Sequence, residues 1–399
     1  MLEIEEARAL LCGRVRPITG TEAVPLEESL GRCLAEDIRA DYDQPPFDRS
    51  PLDGYAVKGT ETLSADRDHP VQLKVVGRVY AGEVFTGVLG PREAVRIMTG
   101  APIPAGADTV IRQEDTDLGM GSVSIYAGQP PYKNYCYQGE DYKRGDLLVR
   151  RGQRVSAGVL AALASLGKSR VQVLRHPRVA VFATGDELMQ PGSPLKPGKI
   201  YDSNRSYICG RLAEFGIRPV RTGHIADDAA VMAAEIRALA GQADLVITTG
   251  GVSVGEKDIM HEVIDILGAE QLFWKVKIKP GSPTLAFTYQ GLPVLALSGN
   301  PFGAIANFEL LARPMLQVLT GDPRIALRPR QLTLEDELHK GAGMRRFLRG
   351  IAEGEGVRLS QGLQVSGAIR AMVDCNCLVE IPAGSEGAVR GARVTVYDL

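Results

Sequence analysis

Four stretches in the second half of the chain carry residue types that bind and move phosphates. They are Thr184-Gly185-Asp186-Glu187; Thr249-Gly250-Gly251-Val252-Ser253-Val254-Gly255-Glu256-Lys257-Asp258; Trp274 to Gly281, with Lys275 and Lys279; and Ser298-Gly299-Asn300-Pro301. A glycine turn between a buried strand and a helix offers free backbone N–H groups and the positive end of the helix dipole to an anion. The lysines add charge, and strand alternation would set Lys275, Lys277 and Lys279 on one face. Glu187, Asp227, Asp228 and Asp258 fall at loop or cap positions near the same edge. Carboxylates beside phosphate cradles and lysines are the ingredients of a magnesium–phosphate site. A kinase or adenylate-transfer site would use similar parts. Taken singly, Asp227 and Asp258 read as plain helix caps, the glycines as turn residues and the lysines as a solvated sheet face. The convergence of all four loops on one edge points to a ligand.

The elements that position them alternate from about Arg178 to Gly321. Val179–Ala183 and Leu245–Thr248 are continuous apolar runs, as in buried parallel strands. Helices are expected over Ser206–Glu214, from Asp227 or Asp228 to Leu239, from Asp258 to Leu267, and from Gly303 to Leu319. Ile217–Val220 begins an extended run, and Gln290-Gly291 turns between Leu285–Phe287 and Val294–Leu297. This is a doubly wound, mostly parallel α/β domain, whose ligands bind beyond the carboxyl ends of the strands. Short β-like runs bounded by Gly, Pro and Asp predict a small inserted β domain before it and a C-terminal β domain after it. The N-terminal region is helical and then extended, with Ile4, Ala7, Leu10 and Leu11 at helical spacing. The division is residues 1–43 with 140–174, 44–139, 175–322 and 323–399. The loop Gln44 to Tyr55 holds three prolines with Asp, Arg and Ser, and a loop of that length is uncommon without a functional reason.

At 399 residues and net charge -2, the chain is a multidomain globular protein with no global attraction to nucleic acid or an anionic membrane. The acidic start Met1-Leu2-Glu3-Ile4-Glu5-Glu6, the lack of an ~18-residue apolar run and six scattered cysteines place it in the cytoplasm, without a disulfide framework. Gly192–Ile200 misses the P-loop pattern, no G-x-G-x-x-G follows a strand, and no G-x-S-x-G elbow occurs. The five histidines show no ligand spacing, and His261 reads as a surface helix residue.

Asp48-Arg49-Ser50-Pro51-Leu52-Asp53-Gly54-Tyr55-Ala56-Val57, Ile97-Met98-Thr99-Gly100-Ala101, Thr184-Gly185-Asp186-Glu187-Leu188, Asp202-Ser203-Asn204, Gly250-Gly251-Val252-Ser253-Val254-Gly255 and Gly299-Asn300-Pro301 occur in order. Together they resemble the molybdopterin molybdenumtransferase family, which includes the C-terminal domain of gephyrin, across essentially the whole chain. The resemblance implies a homodimer that takes adenylylated molybdopterin and molybdate, and releases AMP with Mg2+. It implies transient contacts with the adenylyltransferase and with molybdoenzyme chaperones. Residue by residue, it gives catalytic roles to Asp53, Thr99, Asp141, Glu187, Asp258, Lys275 and Lys279. Substrate contacts fall to Gly250, Gly251, Ser253, Gly255, Ser298, Gly299, Asn300, Pro301, Arg349 and Ser366, and metal contacts to Glu187, Asp227, Asp228 and Asp258. Where the family often has Pro-Gly-Asn-Pro, this chain has Ser298-Gly299-Asn300-Pro301. Two alternatives stay open at this stage: the α/β domain alone also resembles the molybdopterin adenylyltransferase, and gephyrin's domain also serves as a scaffold.

Overall fold

The computed structural model describes residues 1–252, 258–339 and 341–399. The chain forms two compact units, Met1–Glu22 with Leu174–Leu399, and Ala23–Val173.

In the larger unit a six-stranded sheet runs in the order Arg221–Ile225, Val179–Thr184, Leu245–Thr249, Leu292–Leu297, Leu285–Tyr289, Glu270–Trp274. The first four strands are parallel, and the last two are each antiparallel to their neighbour. Val179–Thr184, Leu245–Thr249 and Leu292–Leu297 are buried along their whole length, which is why they read as unbroken apolar runs rather than alternating ones. One face is covered by the helices Ile4–Cys12 and Asn204–Glu214 and the helical run from Pro301 to Thr320. Ala229–Leu239 and Ile259–Leu267 cover the other. The Pro301–Thr320 run contains a π-helical turn at Phe308–Ala312. There the fully buried Glu309 accepts hydrogen bonds from Tyr207, Arg211 and Arg313.

Three expectations shift. The extended run begins at Arg221 rather than at Ile217. The last helix starts at Pro301, because a proline at the first helical position gives up no needed donor. The lysines do not share one strand. Glu270–Trp274 ends just before Lys275, whose φ is +69°, and Ile278–Lys279 pairs instead with Arg345–Arg346 of another sheet. Alternation in sequence cannot register a left-handed residue that ends the strand.

Residues 329–398 form that second sheet. Its strands Arg345–Glu353, Gly356–Leu359, Pro329–Leu334, Arg393–Asp398 and Cys377–Ile381 pair in turn, and the last returns to the first. This closed barrel is filled by Leu332, Leu334, Leu348, Val357, Val379 and Val396, among others.

The smaller unit holds a five-stranded sheet, ordered Thr109–Arg112, Gly54–Val57, Glu93–Ile97, Val71–Val79, Ser122–Ile125. Apolar clusters lie around Tyr55, Val57 and Ile111, and around Ala56, Val95 and Val110. Since residues alternate faces along a strand, these are its two sides. A further cluster joins residues 24–40 to 149–173 and includes Leu163 of the helix Ala157–Ser165. All six cysteines are free thiols. Among the described residues no helix is long and apolar enough to cross a membrane.

Candidate functional site

The strand order places the reversal of direction in the larger unit. From Val179–Thr184 the chain crosses to Arg221–Ile225 on one side, then to Leu245–Thr249 on the other. The crevice between the carboxyl ends of Val179–Thr184 and Leu245–Thr249 is therefore the expected ligand site of such a sheet. Thr184, Thr249, Leu297 and Trp274 end their strands on this one edge, because two successive antiparallel pairings return Glu270–Trp274 to the direction of Leu292–Leu297.

The loops at this edge hold one another. Gly250 has φ +94° and donates its N–H to the Leu297 carbonyl at 3.1 Å. A Cβ there would stand 2.3 Å from the Thr184 carbonyl oxygen, so only glycine allows the two loops to approach this closely. Buried Ser298 accepts the Asn300 N–H at 3.3 Å, so the serine that replaces a proline caps its own turn. Asn204, at the start of the helix Asn204–Glu214, donates to the Gly299 carbonyl at 2.8 Å. Around these contacts lies a cavity of about 40 Å3 lined by Thr184, Glu187, Asn204, Thr249, Gly299 and Pro301, among others. That admits water but not a pterin, so a larger ligand must lie along the open edge.

Asp186 and Asp227 are reciprocally linked: each backbone N–H donates to the other's carboxylate, at 3.2 and 3.3 Å. His224 Nε2 donates to the Gly185 carbonyl at 2.9 Å. The two loops thus act as one piece. Asp228 is the cap of the helix Ala229–Leu239, its Oδ1 accepting the Val231 N–H at 3.0 Å. Asp258 stands at the N-cap of Ile259–Leu267. Glu187 is exposed beside the cavity. The Asn204 Oδ1 is buried without a hydrogen-bond partner among the described residues. All these donors are oxygens, and no group of three His, Cys, Asp or Glu converges as a metal cage among the described residues. Such a set fits a hard cation that keeps water and substrate phosphate as most of its ligands. Ser253 and Gly255 lie outside the described residues.

Lys279 ends the short strand Ile278–Lys279, just before a turn with a specific anchor. The fully buried Asn307 donates to the Gly281 carbonyl at 2.8 Å and to Thr284 Oγ1 at 2.5 Å. Gly281, at φ +96°, could not carry a Cβ without meeting the Asn307 amide at 2.6 Å. Asn307 belongs to the helix that follows Ser298–Pro301, so the lysine turn and that loop share a support. Lys277 is taken up by Glu3 at 2.7 Å, and Lys275 lies against Trp274.

In the barrel, Arg349 corrects its expected role. It is fully buried, its guanidinium lies 4.1 Å from the Phe302 ring centroid, and it donates to the carbonyls of Leu363, Val365 and Ala368. Burial holds its pKa below the usual guanidinium range. It therefore shapes the loop around Ser366 instead of meeting a substrate. The Ser366 carbonyl accepts the Phe302 N–H at 2.9 Å, which sets this loop against the start of the Pro301–Asn307 helix.

In the smaller unit the structure brings Asp53 and Thr99 together. Asp53 Oδ1 accepts both the backbone N–H and the hydroxyl of Thr99, at 2.8 Å each. Asp141 is exposed, its N–H donating to the Gln44 carbonyl at 2.9 Å.

Sequence reading quoted Asn204 and Trp274 only within motifs, without a role of their own, and passed over Asn307; contrary to expectation His261 is half-buried against Trp274. A lone amide in the apolar run Phe302–Leu311 and a single tryptophan beside a candidate lysine were the available signals.

Fold and edge together define a multidomain protein built on a doubly wound α/β domain with a ligand edge at its strand ends. Three family models tile the chain: "MoeA N-terminal region (domain I and II)" over residues 2–167, "Probable molybdopterin binding domain" over 180–318, and "MoeA C-terminal region (domain IV)" over 331–399. The molybdopterin molybdenumtransferase of Bacillus subtilis is 39% identical over 385 residues, covering 94% of this chain and 89% of that one. The enzyme of the same name from Staphylococcus aureus is 36% identical over 376 residues, covering 94% and 90%. The crystal structure of the molybdopterin biosynthesis MoeA protein from Pyrococcus horikosii superposes with TM-score 0.84 at 36% identity, over 100% of this chain and 99% of that one. The chain belongs to the molybdopterin molybdenumtransferase family, a family of transferases of molybdenum cofactor biosynthesis.

Proposed function

We propose that this chain inserts molybdate into the dithiolene of adenylylated molybdopterin and releases AMP, acting in the cytoplasm as a homodimer. The observation that carries this reading is the gathering of the Thr184–Glu187, Thr249–Val252 and Ser298–Pro301 loops with Lys275 and Lys279 at one edge. We further read the chain as four parts, residues 1–43 with 140–174, 44–139, 175–322 and 323–399.

Both the oxyanion and the phosphate link to AMP are negative, so the reaction needs preorganised donors and cations. The Gly250-Gly251 turn and the Ser298–Pro301 turn present backbone N–H groups to the phosphates. Lys279, just before the turn held by Asn307, and Lys275 bind molybdate. Magnesium held by Glu187 and Asp258, with Asp227 on the neighbouring loop, would neutralise the phosphate and polarise it for cleavage. The family resemblance assigns Asp53, Thr99 and Asp141 of the smaller unit, and Ser366 of the barrel, polar roles in the reaction. A cleft closed by a second copy of the chain excludes bulk water and strengthens each of these charges.

A molybdopterin adenylyltransferase would instead make the adenylate, and a scaffold would only bind it. Incubation of the pure protein with ATP and metal-free molybdopterin separates these. We expect no adenylate to form, whereas added adenylate should be consumed when molybdate is present. Adenylate synthesis from ATP would contradict the proposal.

A further inference from the structure

Trp274 is the only tryptophan of the chain. It ends its strand at the functional edge and touches three things there. Its Nε1–H donates to the Val252 carbonyl at 3.3 Å, just after the Gly250-Gly251 turn. The ring of His261, from the helix that follows, meets it edge-on at 4.7 Å. The Lys275 ammonium lies 4.0 Å from its ring centroid. Lys275 makes no ion pair among the described residues, so the indole face is its electrostatic partner.

The backbone sets this up. Lys275 has φ +69°, a conformation that non-glycine residues adopt at a cost and only when their surroundings impose it. Its N–H donates to the Thr284 carbonyl at 2.9 Å, and its carbonyl accepts the Leu2 N–H at 3.1 Å. With the main chain fixed from both sides, the side chain folds back over the preceding ring. A strand continued through Lys275 would direct it away. Attraction to an aromatic face is weaker than contact between an ammonium and a dianion, so the arrangement is reversible by an oxyanion.

We propose that Trp274 is a positioning residue for oxyanion capture: it holds the Lys275 ammonium over its indole beside the glycine turn, and a bound tetrahedral dianion draws the lysine off the ring. This rests on the reading of Lys275 as a molybdate contact. By its hydrogen bond to Val252 the same ring ties the lysine to the phosphate-binding turn.

The test uses the full chain, with molybdate as the probe and sulfate as competitor. Equilibrium dialysis measures binding while the emission of the single tryptophan is followed. The expected result is a saturable emission change whose midpoint matches the dialysis constant. Lys275→Met should abolish that change and weaken binding about tenfold or more. Trp274→Leu should weaken binding several-fold, and Trp274→Phe, which keeps an aromatic face, should recover part of the loss. Binding that depends on Lys275 but leaves the emission constant, with Trp274→Leu binding like wild type, overturns the role of Trp274 and keeps Lys275. Binding unchanged in Lys275→Met, or absent from the wild type, overturns the reading of Lys275 instead.

Discussion

The Asp53 carboxylate receives two hydrogen bonds from one residue, the N–H and the hydroxyl of Thr99, both at 2.8 Å to the same oxygen. These residues are 46 apart in sequence, and the pair fixes the Thr99-Gly100 turn against the loop that precedes Gly54–Val57. The Thr99 N–H, its hydroxyl and the more distant Arg96 hold the Asp53 carboxyl below the usual carboxylate range, against a small opposing effect of burial.

A pH prediction follows from that direction. The folded-state pKa is depressed below the ordinary aspartate value. The ionised pair therefore contributes fully above the unfolded value and is lost only as pH falls through the lower folded one. Asp53 should produce no acid limb in AMP release above about pH 5. Thr99→Val, which removes the hydroxyl but keeps the N–H, should slow release about tenfold with an unchanged circular dichroism spectrum. An unchanged rate in Thr99→Val would remove this pair from the site.

Gly250→Ala should be far costlier than an ordinary glycine replacement. At Gly216, also left-handed at φ +75°, an added Cβ meets nothing within 4 Å. There we expect a loss of about 1 kcal/mol from backbone strain alone. At Gly250 the clash with the Thr184 carbonyl adds to the same strain, and the loss should exceed about 2 kcal/mol. Urea midpoints of the two variants settle the comparison; equal losses would mean that the two loops do not need their close approach.

Glu309 carries a different kind of burden. It is fully buried against the half-buried Arg211 and the buried Arg313, and Tyr207 completes its hydrogen bonds. Glu309→Leu leaves the buried Arg313 without a carboxylate and Arg211 with only Glu214, so a loss of about 3–5 kcal/mol is expected. A triple replacement by apolar residues of similar volume should recover much of it. Thermal unfolding of the single and triple variants makes the measurement, and a Glu309→Leu loss below about 1 kcal/mol would contradict this account of the buried cluster.

Asn307 tests whether support alone can govern the site. Asn307→Ala removes the hydrogen bonds to Gly281 and Thr284, so the turn after Lys279 loses its anchor. The half-saturating molybdate concentration should rise about tenfold while the site's charges stay intact. Asn307→Asp tests the donors themselves, since a carboxylate cannot donate to the Gly281 carbonyl. Unaltered molybdate saturation in both variants would show that the turn holds itself.

How much of this could be read in the sequence depended on locality. The strands Val179–Thr184, Leu245–Thr249 and Leu292–Leu297 were legible because burial on both faces leaves a continuous apolar run. The turn at Gln290-Gly291 and the cap, narrowed to Asp227 or Asp228 and found at Asp228, are short-range chemistry and were legible for that reason. The lysine arrangement was not, since one left-handed residue, Lys275, redirects the chain without changing its alternation. The burial of Arg349 was not legible because a guanidinium held by loop carbonyls, the Gln364 side chain and the Phe302 ring leaves no sequence pattern. Nor does any pattern connect Glu309 to Arg211, or Asn204 to Gly299, across about 100 residues of chain.

The central claim is tested most directly by AMP release from purified adenylylated molybdopterin, with and without molybdate and magnesium. The account predicts release that requires both, and a fall of about 100-fold in Lys279→Ala. Release without molybdate, or none at all with the adenylate still tightly bound, would contradict it.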